Sequence, residues 1–178
     1  MDTPAKRGYE ESCHELQTQG LLDPGPVAPM PARRPNCDDE EPLGVSFFRT
    51  RLADASLENL TIPRTFFGRS EIIRVSFRGT DLSESTLCWN DFIGVDFSES
   101  NLSGSDLRAA VFENVKFIRA DLHRTDLRRS SYKDCDFTDA DMRGAKLTKA
   151  QASELRLSSS QEQQVDWQAG DGDEPGGG

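Results

Sequence analysis

Any chemistry in this chain would have to come from very few side chains. Two histidines, His14 and His123, and four cysteines, Cys13, Cys37, Cys88 and Cys135, are all it offers to metal ions, thiol nucleophiles or acid–base work near neutral pH. Cys13, His14 and Cys37 lack metal-ligand spacing, and there is no Gly-rich phosphate loop, nucleophile elbow or paired-cysteine motif. The four cysteines are too few and too scattered for a secreted disulfide framework, so free thiols are expected. The chain therefore reads as a non-enzyme with no catalytic residue, no metal ligand and no cofactor.

The elements that would position any site lie in the middle two-thirds of the sequence. Residues 1–42 hold nine acids, four bases and seven of the nine prolines, five of them within 24–35, ahead of the acidic run 38–41. Such a stretch neither propagates a helix nor supplies a core, and it reads as a disordered leader, with a weakly amphipathic helix over 9–22 as the alternative. Residues 158–178 carry five acids and no bases and end in a Gly/acidic low-complexity run that reads as a disordered tail. Residues 43–157 balance seventeen acids with seventeen bases and hold most of the large apolar residues. No apolar run approaches the roughly 20 residues of a membrane helix, and the first eight residues lack a hydrophobic signal region, so a cytoplasmic protein is expected.

Within 45–149 neither a helical nor a strand period fits, but a period of five does. Every fifth residue from Phe47 to Leu147, 21 positions in all, is large and apolar or aromatic. The residue two places earlier is mostly small, and the one between is often Asp or Asn, as at Asp81, Asp96, Asp106 and Asp121. Two inward side chains on alternate residues describe a short extended piece followed by a turn, so the chain must coil. If four units close a turn, residues twenty apart stack, and the columns are orderly. Phe77, Phe97, Phe117 and Phe137 form one; Phe92, Phe112 and Tyr132 form the next.

Units such as Thr80-Asp81-Leu82-Ser83-Glu84 and Ala120-Asp121-Leu122-His123-Arg124 resemble the pentapeptide-repeat family over about 105 residues without a break in register. The resemblance implies an all-β fold, a right-handed quadrilateral β-helix with four pentapeptides per coil. About five coils are expected, each adding roughly 4.8 Å of length. Open coil ends need caps, and Ser159-Ser160-Gln161-Glu162 offers a capping box for a short helix that would set Val165 and Trp167 on the last coil. The resemblance also implies that a homodimer could form through the C-terminal end.

In this register the remaining chemical candidates fade. His123 points outward one coil from Ser103 with no positioned acid, and Ser130 of Arg128-Arg129-Ser130-Ser131 points inward, out of reach of a kinase. Two surface features stand out. Outward positions should be polar, yet Trp89, Ile73, Ile93, Val111 and Ile118 are not; they suggest a protein-binding patch, or else a seat for the leader. The stretch 79–107 carries six acids, Asp81, Glu84, Asp91, Asp96, Glu99 and Asp106, and no base. The resemblance connects that band to quinolone-resistance members, which imitate duplex DNA and bind DNA gyrase. Arginines interrupt the acidity on either side, so a rod presented to a protein partner is the preferred function and DNA mimicry the alternative. A neutral rod with acidic ends is a poor direct binder of nucleic acid.

Overall fold

Twenty-residue steps organise the chain from Ser46 to Gln168. The computed structural model describes residues 4–39 and 42–170, with side chains from Gly8 onward. Three-residue strands β1 (Ser46–Phe48), β2 (Arg51–Ala53), β3 (Phe66–Gly68), β4 (Glu71–Ile73), β5 (Asp91–Ile93), β6 (Val111–Glu113), β7 (Ser131–Lys133), β8 (Lys146–Thr148) and β9 (Asp166–Gln168) pair in parallel. Each partner lies twenty positions on: Phe47 opposite Phe67, Leu52 opposite Ile72, Phe92 opposite Phe112, Leu147 opposite Trp167. Isolated bridges continue the same offset along the other two sides, from Ser56 through Ser76 to Asp136 and from Thr61 through Asp81 to Asp141. The result is a four-sided β-solenoid. One side runs Ser46, Phe66, Thr86, Asp106, Asp126, Lys146, Asp166, so the stack makes about six turns rather than the five the repeat suggests, because β9 adds a strand beyond the last pentapeptide.

All 21 large inward residues are buried. The anticipated ring columns are vertical files. Phe77, Phe97, Phe117 and Phe137 stack at centroid separations of 5.1, 5.4 and 4.7 Å, and Phe92, Phe112 and Tyr132 at 5.2 and 5.3 Å. The two files meet edge to face, as between Phe112 and Phe117 at 5.4 Å. The small inward column contributes hydrogen bonds as well as volume. Ser105 Oγ accepts from the Ser85 amide one coil below and donates to the Leu82 carbonyl; Ser130 Oγ does the same for Ala110 and Leu107. Asn90 plays that part with both ends of its amide, toward Ser70 N and Phe67 O. A narrow rod thus satisfies backbone groups that a purely apolar column would leave bare.

The Asp between the two inward residues is a turn residue. Asp81, Asp96, Asp121 and Asp136 each accept, through Oδ1, the amide two residues on. The chain then turns a corner in the left-handed region, and from Arg49 to Gly144 every fifth residue has a positive φ. Glycine takes four of these corners, among them Gly79 and Gly104, where that conformation has no steric cost.

Both ends are closed, and the leader departs from the reading given above. Helix α1 (Pro4–Thr18) starts on a proline, where the missing N–H costs nothing, and ends on Gly20 in the left-handed region. Leu21 N and Gly20 N return to Leu16 O and Gln17 O there. Tyr9, Cys13 and Leu16 are buried on the first coil, and Ser12 Oγ accepts from Thr61 N at 2.7 Å. The leader therefore supplies a cap, and residues 24–39 run on along the rod. Composition concealed this because one helix face needs only three apolar side chains when it has a preformed coil end to cover.

At the C-terminal end one motif is used twice. Thr148 and Gln151 form a capping box around the short 3₁₀ helix Lys149–Ser153, and Gln151 Nε2 donates to Leu127 O and Ser130 O. Ten residues on, Ser158 and Gln161 cap α2 (Ser159–Gln164), and Gln161 Nε2 donates to Phe137 O and Ala140 O. Glu154 and Gln164 then accept from Tyr132 N and Met142 N. These side chains stand in for the missing next coil. The expected capping box is present one residue earlier than its sequence placement, on Ser158 rather than Ser159. Val165 is buried, and Trp167 lies in β9 with its Nε1 on Glu162 O.

Candidate interaction surface

The apolar outward residues divide between two sides of the solenoid. Ile73 and Ile93 stand opposite each other on β4 and β5, and Val111 of β6 faces Asp91 across the same sheet. Trp89 occupies the corner immediately before β5, in the left-handed region with φ 60°, and is 60% exposed. Ile93 and Val111 are also exposed, and Ile73 is half-buried. Ile118 does not join them: it follows the Asp96, Lys116, Asp136 bridge line and so belongs to the next side. The patch is four residues, bordered by Asp91 and by Glu113, which Lys133 holds at 2.8 Å.

The acidic stretch 79–107 does not form an acidic surface. Stacking by twenty places basic residues above and below it. Glu84 meets Arg64 at 2.7 Å, and Glu99 is gripped by Arg78 at 2.7 Å and Arg119 at 2.6 Å, which holds its carboxyl below the usual range. Asp81 and Asp96 are engaged in their turns, and Asp106, 4% exposed, pairs with Arg108 at 2.7 Å. Asp91 alone of the six is exposed with no such arginine at its register neighbours Glu71 and Val111.

The thiols differ from expectation in one respect. Cys37 and Cys88 are joined in a disulfide with Cα atoms 6.4 Å apart, whereas Cys13 and Cys135 are free. Fifty-one residues separate the pair, so spacing gave no hint. The register marked the side though not the pairing, since Cys88 and Phe66 are uncharged outward residues on one side, and the fold buries both. Phe48, exposed beside them and 6.2 Å from the Phe66 ring, was likewise missed. Asp106 lies close to both sulfurs, but the Arg108 fork already neutralises it, which makes the group a poor offer to a cation. Burial pushes the Cys13 and Cys135 thiols up, as suits unreactive packing residues. His123 is half-buried with its own amide on Asp121, and Ser130 is buried as its register requires. Among the described residues no helix is long and apolar enough to cross a membrane.

A family model described as pentapeptide repeats matches the chain in eight copies, over residues 50–87, 91–129 and 133–160. No curated protein matches it. Among solved structures it is similar to HetL, a pentapeptide-repeat protein involved in heterocyst differentiation regulation from the cyanobacterium Nostoc sp. strain PCC 7120. That likeness has a TM-score of 0.57 and 22% identity over 59% of this chain and 44% of HetL. The chain thus spans less than half of HetL. Weaker likenesses link it to a pentapeptide-repeat protein of the Arabidopsis thaliana thylakoid lumen (TM-score 0.34, 21% identity, 63% and 71% of the two chains). They also link it to QnrB1, a plasmid-mediated fluoroquinolone resistance protein (TM-score 0.33, 21% identity, 58% and 52%). With 105 residues in the matched repeats and the twenty-residue register running through all four sides, this chain belongs to the pentapeptide-repeat family.

Proposed function

We propose that the chain is a non-enzymatic interaction module of the cytoplasm, presenting the side around Trp89, Ile73, Ile93 and Val111 to a protein partner. The observation that carries this reading is Trp89. A bulky side chain held in the left-handed region at a corner is unfavourable for folding, and that conformation aims the indole away from the rod with most of its surface in water. A rigid aromatic with apolar neighbours and a charged border suits a binding anchor, because little side-chain freedom remains to be lost on association. The rod itself offers no interior space, being filled by its ring and aliphatic files.

Affinity capture from native lysate with the full chain, compared with a Trp89→Ala/Ile93→Ser variant of unchanged circular dichroism, tests the proposal. Loss of at least one specific captured protein is the expected result. Identical capture would remove the patch from consideration. DNA mimicry has less support, since the acids it would use are mostly committed to turns and arginines; the expected result of a gyrase supercoiling assay is no effect. A dimer through the end closed by α2 and β9 is compatible with this module, and sedimentation velocity would detect it.

A further inference from the structure

Between α1 and β1 the chain crosses the side formed by Phe66, Thr86, Cys88 and Asp106. It contains no helix or strand from residue 24 to 39. Three hydrogen bonds between nitrogen or oxygen atoms seat it on the rod, Arg64 Nη1 donating to Pro31 O at 2.8 Å, Thr86 Oγ1 to Pro35 O, and Arg34 Nη1 to Gly104 O at 2.8 Å, and Gln17 Nε2 of α1 holds its start through Gly25 O at 3.1 Å. Pro31 and Pro35 are buried in the crossing. Under the strap the outward residues Phe66, Thr86 and Cys88 are almost wholly covered. One covalent bond, Cys37–Cys88, closes the arrangement.

We propose that this bond is a redox latch: thiol–disulfide exchange at Cys37–Cys88 fastens and releases the strap, and so covers and uncovers the Phe66 side of the solenoid. Three features support a latch rather than a structural staple. The rod beneath it is complete without the bond, since its ladders and both end caps involve neither sulfur. Apart from the bond the strap is held by those hydrogen bonds and by Val27, Met30, Pro31 and Pro35 against the rod, while residues 32–34 and 36 are exposed, so losing the bond frees the stretch around Cys37. Cys37 is the half-buried, reachable partner, with the Arg108 guanidinium 3.8 Å from its sulfur and Asp106 Oδ2 at 3.3 Å. The same guanidinium also holds Asp106, so the two charges beside Cys37 offset each other, and the accessibility of Cys37 is what favours attack there. In a reducing cytoplasm the resting state would be open, closing on oxidation.

The chemistry is two-electron exchange with an external thiol. A thiolate attacks Cys37 Sγ, forms a mixed disulfide and displaces Cys88 as a thiolate, which takes a proton from solvent. A second external thiol then attacks the external sulfur of that mixed disulfide. The external disulfide leaves, and Cys37 departs as a thiolate. Its protonated form can donate to Asp106. Reversal requires an external disulfide such as oxidised glutathione.

The test uses purified full-length protein in glutathione buffers of graded ratio, with iodoacetamide labelling read by mass spectrometry and tryptic cleavage after Arg33 as the measure of strap release. Cys37 and Cys88 should label together and only on the reducing side. Cleavage after Arg33 should rise by about tenfold or more in step with labelling, and oxidised glutathione should reverse both. A Cys37→Ser/Cys88→Ser variant should cut at the fast rate in every buffer while its circular dichroism stays that of the solenoid. The proposal is overturned if the two cysteines label in fully oxidising buffer, if they resist reduced glutathione throughout, or if cleavage is the same in both states. The wild-type comparison decides the matter even if the double variant does not fold.

Discussion

Every corner of the solenoid is a decision made by one residue. Leaving the left-handed region to glycine would be cheapest, yet arginine, aspartate, asparagine, alanine and tryptophan occupy corners from Arg49 to Asp139. Holding a residue with a Cβ there costs roughly 1–2 kcal/mol, offset in part by the smaller entropy it has to lose on folding, about 0.4–1 kcal/mol relative to glycine. Ala109, at φ 54°, carries neither a turn-forming side chain nor an ion pair to compensate. Ala109→Gly should therefore raise stability by up to about 1 kcal/mol, seen as a higher urea midpoint at unchanged slope. Residue identity was partly legible in advance: the 21 inward positions could be named from their spacing, and Ser130 could be set inside. The pairing of Cys37 with Cys88 could not, because nothing local links a cysteine in a proline-rich leader to one about two coils into the rod.

Whole elements at the ends follow a different logic from the coils between them. The segments from Thr148 to Leu155 and from Ser158 to Val165 share a pattern: a hydroxyl residue, glutamine three later, glutamate or glutamine after three more, then an apolar residue. Each glutamine meets two carbonyls that a further coil would have met. Gln161→Ala should leave Ala140 O without the amide it meets and Phe137 O with the Ala140 amide as its remaining donor, at a cost of about 1–3 kcal/mol, measured by chemical denaturation. Sedimentation should show more self-association, since an uncapped end is a template for another strand. A change in neither quantity would mean that water replaces the amide freely. The helix α2 was readable from its capping box, to within one residue. The cap formed by α1 was obscured by composition, since charges and prolines around it signal disorder whereas Tyr9, Cys13 and Leu16 matter only against the first coil.

Across the whole molecule, charge is organised by stacking and not by order along the chain. Ladders join acids to bases one coil away, as in Asp54 with Arg74 at 2.6 Å and Glu113 with Lys133 at 2.8 Å. Hydrogen bonds from Thr138 hold the Asp136 carboxyl below the usual carboxylate range, and the Arg143 fork does the same for Asp141. A carboxylate whose folded value is depressed stabilises the fold above its unfolded value, about 3.9, and loses that contribution as pH falls through the folded value. Stability should be flat from neutrality to about pH 5 and fall below about pH 4, in thermal unfolding followed by circular dichroism across acid buffers. Salt should change neutral-pH stability little, because the pairs are exposed and individually weak.

The sequence by itself determined the five-residue period, the twenty-residue stack, the ring files and the family, because a repeat that buries the same two positions in every unit leaves a periodic record. Tertiary structure alone decided where the leader lies, which cysteines meet, and that five of six clustered acids are engaged by arginines or by their own turns. Those outcomes depend mainly on contacts between residues about twenty to seventy positions apart, between segments whose local composition says nothing about each other.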